Sequence, residues 1–173
     1  MEQGVTRGAP LLVTADLPPH IFKWADGLRR THFPPERNKL KAHVTLFHAL
    51  PPSVEQELRE LLGRLAGEAP PAARITGLMK LDGGTALAVE SPRMVELRAL
   101  IQDRMSGLTV QKDSRPLRLH ITIQNKVAPQ EARALQTQLE GTLQPRDFHF
   151  RGFELFAFND GIWQAIRAFP FRG

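Results

Sequence analysis

Two tetrapeptides of one kind, His43-Val44-Thr45-Leu46 and His120-Ile121-Thr122-Ile123, stand 77 residues apart, and a proline follows each at the same distance, Pro52 and Pro129. The same offset relates Leu58 to Leu135, Leu62 to Leu139 and Gly84 to Gly161, while Gly77 meets Gly152 after a two-residue adjustment. A chain of 173 residues is too short for two ordinary independent domains. An internal duplication of this length therefore folds most simply as two similar halves around one core. We expect a single domain over 1–173, with pseudo-repeat lobes built around 43–46 and 120–123. The predicted class is α+β: two pseudo-symmetric lobes, each a small antiparallel sheet flanked by helices, with a central cleft.

The local patterns support that outline. Residues 10–17 read as a short strand, and a helix follows from Pro18 to about Phe33, with Ile21, Trp24, Ala25 and Leu28 at helical spacing. The segment 43–50 is β-branched and aromatic enough for a strand. After Pro51-Pro52, Val54, Leu58, Leu61, Leu62 and Leu65 fall on one helical face, with Ser53 as the expected N-cap. Segments 74–81 and 85–91 form a predicted hairpin across Asp82-Gly83-Gly84, because glycine supplies the positive φ that tight turns need. A helix at 92–107, a strand within 117–127 and a helix at 129–143 repeat the order. The chain closes on a second hairpin around Asn159-Asp160-Gly161.

Side chains alternate along a strand, so His43 and Thr45 project to one face while Val44 and Leu46 project to the other. The same holds for His120 and Thr122 against Ile121 and Ile123. Each strand thus buries two aliphatic groups and presents an imidazole and a hydroxyl to the presumed cleft. Two imidazoles with near-neutral pKa suit phosphodiester cleavage, one taking a proton from the attacking oxygen and one giving a proton to the leaving oxygen. The hydroxyls can donate hydrogen bonds to phosphate oxygens as charge builds on them. Lys41 and Arg118 each lie two residues before a histidine, and if the strands extend that far they add positive charge on the same face as electrostatic support.

On these two motifs the chain resembles the two-histidine (2H) phosphoesterases, and within them the bacterial 2'-5' RNA ligase-like and RNA 2',3'-cyclic phosphodiesterase proteins. The family pattern is two copies of His, any residue, Thr or Ser, then an apolar residue, roughly 70 to 90 residues apart. The resemblance implies catalytic roles for His43 and His120, phosphate binding by Thr45 and Thr122, and a fold that covers essentially the whole chain. It implies a metal-independent phosphodiesterase, with no cofactor, acting on RNA or nucleotide 2',3'-cyclic phosphates or 2'-5' linkages. RNA ends or small nucleotides are then the expected partners.

Composition narrows the chemistry further. The chain has no cysteine, which excludes disulfides, thiolate nucleophiles and cysteine-ligated zinc. The net charge of +5 favours polyanionic ligands over long range. The apolar run near the start is broken by Thr14, Asp16 and Pro18, so it makes neither a signal-peptide core nor a membrane span. A cytoplasmic, monomeric enzyme is the expectation. The alternative is a non-catalytic RNA- or nucleotide-binding protein with the same cleft. A metal hydrolase using His43, His48 and His120 is disfavoured, because His48 lies five residues after His43 and on the opposite face of an ideal strand. On this reading His48 is structural, as are His20, His32 and His149. Trp163 and Phe158 fit core packing on the inner face of a sheet better than base stacking. Arg29, Arg30, Arg37, Lys39 and Lys41 read as a solvated helix end and loop.

Overall fold

The computed structural model describes residues 8–173. Strand β1 (Leu11–Asp16) leads into helix α1 (Pro19–His32), strand β2 (Val44–Leu50), helix α2 (Glu55–Leu65) and the hairpin of β3 (Ala72–Leu81) and β4 (Gly84–Glu90). Next come α3 (Pro92–Arg104), the short α4 (Gln111–Ser114), β5 (His120–Gln124), α5 (Pro129–Glu140), β6 (Arg146–His149), β7 (Gly152–Asn159) and β8 (Ile162–Pro170). The strands form two four-stranded antiparallel sheets, in the orders β2-β1-β7-β8 and β5-β4-β3-β6. Among the described residues no helix is long and apolar enough to cross a membrane.

The two motif strands hold equivalent places: β2 and β5 are each at the edge of a sheet, beside β1 and β4 respectively. The next position in each sheet is filled by exchange. The hairpin that follows the first motif, β3–β4, joins the sheet of the second motif, and the closing hairpin, β7–β8, returns to the sheet of the first. Each lobe is therefore assembled from distant parts of the chain, and the two share one hydrophobic core that holds Val44, Leu46, Phe47, Ile121 and Ile123 at 0% exposure. Both edge strands approach each other within 8 Å, Cα to Cα, which places their motifs at the junction of the lobes.

The helices pack as their periodicity predicts, with a change in capping. Ser53 is not a cap: residues 52–54 form a 3-10 turn, and α2 starts at Glu55 with no side-chain cap on Val54. Ser91 caps α3 instead, accepting from the Met94 N–H and donating to the Ala72 carbonyl oxygen at 2.6 Å. On α3, Met94, Leu97 and Ile101 are buried while Val95 and Leu100 are exposed. In the hairpin turns Gly83 (φ 73) and Gly161 (φ 80) supply the positive φ. Gly84 serves another purpose, since a Cβ there would lie 2.2 Å from the Gln124 carbonyl oxygen and push β4 off β5.

Candidate active site

Each motif histidine stands at the start of its strand with its ring held in the same way. Nδ1 of His43 bonds the Lys41 carbonyl oxygen at 2.6 Å, and Nδ1 of His120 bonds the Arg118 carbonyl oxygen at 2.8 Å. A carbonyl can only accept, so both bonds require the proton on Nδ1. Neither bond uses Nε2, which carries a lone pair when the ring is neutral and N–H when it is charged. The strands begin at Val44 and His120, so Lys41 and Arg118 lie outside them and both side chains are exposed. Lys41 and Arg118 thus do not share the strand face with the histidines; each supplies a backbone acceptor to its histidine, and Lys41 also lines the cavity beside His43. Thr45 and Thr122 are half-buried, one residue beyond Val44 and Ile121, which point into the core at 0% exposure.

The open edges of the two motif strands are held by two buried arginines, Arg29, which sequence reading set in a solvated helix end, and Arg98, which it did not single out. From α1, Arg29 donates Nη1–H to the Thr122 carbonyl oxygen of β5 at 2.8 Å, and its other nitrogens reach Asn38 Oδ1 at 3.0 and 3.2 Å. From α3, Arg98 donates Nε–H to the Leu46 carbonyl oxygen of β2 at 3.3 Å and a second N–H to the Asp113 carbonyl oxygen. Both guanidinium groups also lie over a phenylalanine, Arg29 4.4 Å from the ring centre of Phe33 and Arg98 4.5 Å from that of Phe47. Burial lowers the pKa of both, while Asp26 and Asp113 act in the other direction.

Burial also pushes the His43 imidazole down to about 4; the Lys41 carbonyl opposes this, and charge on Arg29, His120 and His48 adds to the depression. His43 is therefore neutral at physiological pH. Its ring rests against Trp163, with centroids 5.0 Å apart and planes at 56°, and Trp163 in turn lies 5.4 Å from Phe156. Trp163 is half-buried and Phe158 is 42% exposed, so neither joins the core as expected. His43 and Trp163 line a cavity of about 700 Å³ that runs over the sheet face past Asp16, Arg151 and Glu154. Asp16 and Glu154 share a hydrogen bond there. A second, more open hollow lies between Arg37, Lys39 and Lys126.

His48 is placed differently from the ideal-strand expectation. Val13 pairs with Phe47 but Thr14 pairs with Thr45, so Leu46 is an extra residue, a β-bulge that resets the alternation. Phe47 takes the core side with Val13, and His48 falls on the Thr45 side, where its charge is felt at His43. Asp113 fixes it, accepting from His48 Nδ1 at 2.7 Å and from the backbone N–H groups of His48 and Ala49 at 2.7 and 3.0 Å. Among the described residues no group of three His, Asp or Glu side chains is placed to hold one metal ion. His20 and His149 are exposed and His32 is half-buried.

Two swapped lobes with a matched His-x-Thr strand in each define a two-motif α+β class of protein, and comparison with known proteins supplies the family. Residues 17–161 match the model of the 2'-5' RNA ligase superfamily, and the chain belongs to that family of 2H phosphoesterases. Among solved structures it resembles TT0787 of Thermus thermophilus (18% identity, 95% of this chain and 98% of that one, TM-score 0.64). It is also similar to E. coli LigT complexed with NADP+ (18% identity, 94% and 98% covered, TM-score 0.63) and with 3'-AMP (20% identity, 96% and 99% covered, TM-score 0.58). No curated protein matches the sequence. At these identities the structures share the fold, while family membership supports a phosphoesterase or RNA-ligase activity.

Proposed function

We propose that residues 1–173 act as one phosphodiesterase domain that hydrolyses a ribose phosphodiester, a 2',3'-cyclic phosphate or a 2'-5' linkage at an RNA end or in a small nucleotide. The observation that carries this reading is the matched pair of Nδ1 hydrogen bonds, which leaves two Nε2 atoms, one from each lobe, as the proton-transferring groups at the lobe junction. His43, held neutral by burial, takes the proton from the attacking water. His120 then gives its proton to the departing ribose oxygen. The water oxygen bonds to phosphorus as the P–O bond to that ribose oxygen breaks, giving a phosphomonoester from a cyclic substrate. Thr45 and Thr122 donate hydroxyl hydrogens to the non-bridging oxygens, whose charge grows in the pentacoordinate transition state. The complexes of E. coli LigT with 3'-AMP and with ATP support a nucleotide as the ligand class.

The test is a panel of 2',3'-cyclic nucleotides and 2'-5' dinucleotides incubated with the protein in EDTA, with products resolved by chromatography. Conversion of at least one member to a phosphomonoester, accompanied by a released nucleoside when the substrate is a dinucleotide, is the expected result. No turnover by folded protein overturns the reading. Salt-sensitive RNA binding without product would point to a non-catalytic nucleotide-binding protein.

A further inference from the structure

The cavity beside His43 holds groups that proton transfer does not use. One wall is aromatic, formed by Trp163 and Phe156, and its floor carries Asp16 and Glu154. Thr14 pairs with Thr45 on one side and with Glu154 on the other, so these three side chains share a sheet face. Two strand spacings, about 10 Å, then separate Thr45 from Glu154, the reach of a nucleotide from its phosphate to its base edge. A volume of about 700 Å³ is of the size that encloses a nucleoside. We infer that this cavity is the nucleobase subsite and that it selects guanine, with Trp163 as the stacking surface and the Asp16–Glu154 carboxyl pair as the hydrogen-bonding edge. The substrate class rests on the phosphodiesterase reading above.

Stacking on Trp163 is indifferent to base identity, so selection falls to the carboxyl pair. Burial, followed by the charge of Glu154 and the hydrogen bond to it, raises Asp16 to about 7, with Arg151 acting the other way. When the pair's one proton sits in the bond between the two carboxyls, the remaining oxygens can only accept. Guanine presents adjacent N1–H and N2–H donors that a carboxylate meets with two charge-assisted bonds. Adenine and cytosine each place a ring acceptor beside their amino group, and uracil sets its one N–H between two carbonyls, so each turns a lone pair toward the negative floor. Lys39 and Lys41 line the same cavity and offset the charge of a bound phosphate.

The experiment is titration calorimetry of the full chain with 3'-GMP, 3'-AMP, 3'-CMP and 3'-UMP, run beside turnover of the corresponding 2',3'-cyclic nucleotides. We expect 3'-GMP to bind about 10- to 100-fold tighter than 3'-UMP, the ratio to fall toward one in Glu154→Gln and in Asp16→Asn, and Trp163→Ala to weaken all four alike. Either carboxyl variant suffices if the other does not fold, as judged by circular dichroism. Equal affinities, preference for another base, no binding of any 3'-nucleotide, or a guanine preference that survives both carboxyl variants overturns the inference. A guanine preference in binding without turnover defeats only the phosphodiesterase reading. Turnover without base discrimination defeats only the subsite.

Discussion

Arg29 Nη1 lies 2.8 Å from the carbonyl oxygen of Thr122, so a helix that starts beside the first sheet grips the edge strand of the second. Arg98 does the same in reverse at the Leu46 carbonyl oxygen. An edge strand leaves backbone groups unpaired, and here buried guanidinium groups occupy them within the two His-x-Thr strands.

Arg29 should therefore contribute to both stability and proton affinity. Arg29→Gln loses charge-assisted bonds to Thr122 and Asn38 and should cost about 2–4 kcal/mol in urea unfolding. Its charge also helps depress His43, so the acidic limb of the kcat/KM profile should move to higher pH. Arg29→Lys, which keeps the charge but not the fork, should restore the limb and leave the stability loss. An unmoved limb in Arg29→Gln would remove Arg29 from the electrostatics of His43.

The two histidines should fail as a pair. His43→Ala or His120→Ala should lower kcat by roughly 10²–10⁴-fold, and the double variant by less than the product of the two. Thr45→Ala and Thr122→Ala should each cost about 10–10³-fold, because the phosphate keeps other donors. Near-wild-type turnover by His120→Ala alongside a dead His43→Ala would reassign the second lobe to binding alone.

Asp16 and His43 should pull stability in opposite directions with pH. The folded-state pKa of Asp16 is raised from 3.8 to about 7, so its contribution is present below 3.8 and is lost as pH rises through 7. That of His43 is lowered from 6.5 to about 4, so the folded state is favoured above 6.5 and penalised as pH falls toward 4. Asp16→Asn removes the first dependence: its Tm relative to wild type should be higher at pH 8 than at pH 4 by about 3–6 °C. A pH-independent difference in thermal melts would show that Asp16 is not desolvated.

Asp113 should prove a structural anchor for the far end of β2. Asp113→Ala leaves the His48 and Ala49 N–H groups and the His48 ring without their acceptor, and should cost about 3–5 kcal/mol by denaturant titration. Burial raises the Asp113 pKa, but the His48 ring and the two backbone N–H groups more than offset it, leaving the value below 3.8. The contribution should thus be intact above pH 3.8 and lost as pH falls below it. Asp113→Asn should flatten the acid side of the stability curve; an unchanged curve would exclude the carboxylate as its source.

The burial of Val44, Leu46, Ile121 and Ile123 opposite the half-buried Thr45 and Thr122 was legible in the tetrapeptides, because period-two alternation turns two aliphatic residues of each strand to the core. The closing turn was equally legible: Asp160 (φ 51) and Gly161 (φ 80) adopt a conformation that few other residue pairs tolerate. Which sheet each hairpin joins was not, since β3–β4 pairs with β5 rather than β2 through contacts between distant segments. The Leu46 bulge that brings His48 to the His43 side depends on the partner register of β1, which has no local sequence sign. Arg29 reads as a surface cation until β5 is laid against α1. Asp16 and Glu154 meet only because β1 and β7 pair, and Trp163 reaches His43 only when the end of the chain returns to the first sheet. Local alternation and turn chemistry are written residue by residue; charge desolvation and the meeting of side chains depend on how strands far apart in sequence are ordered, and tertiary packing alone sets that order.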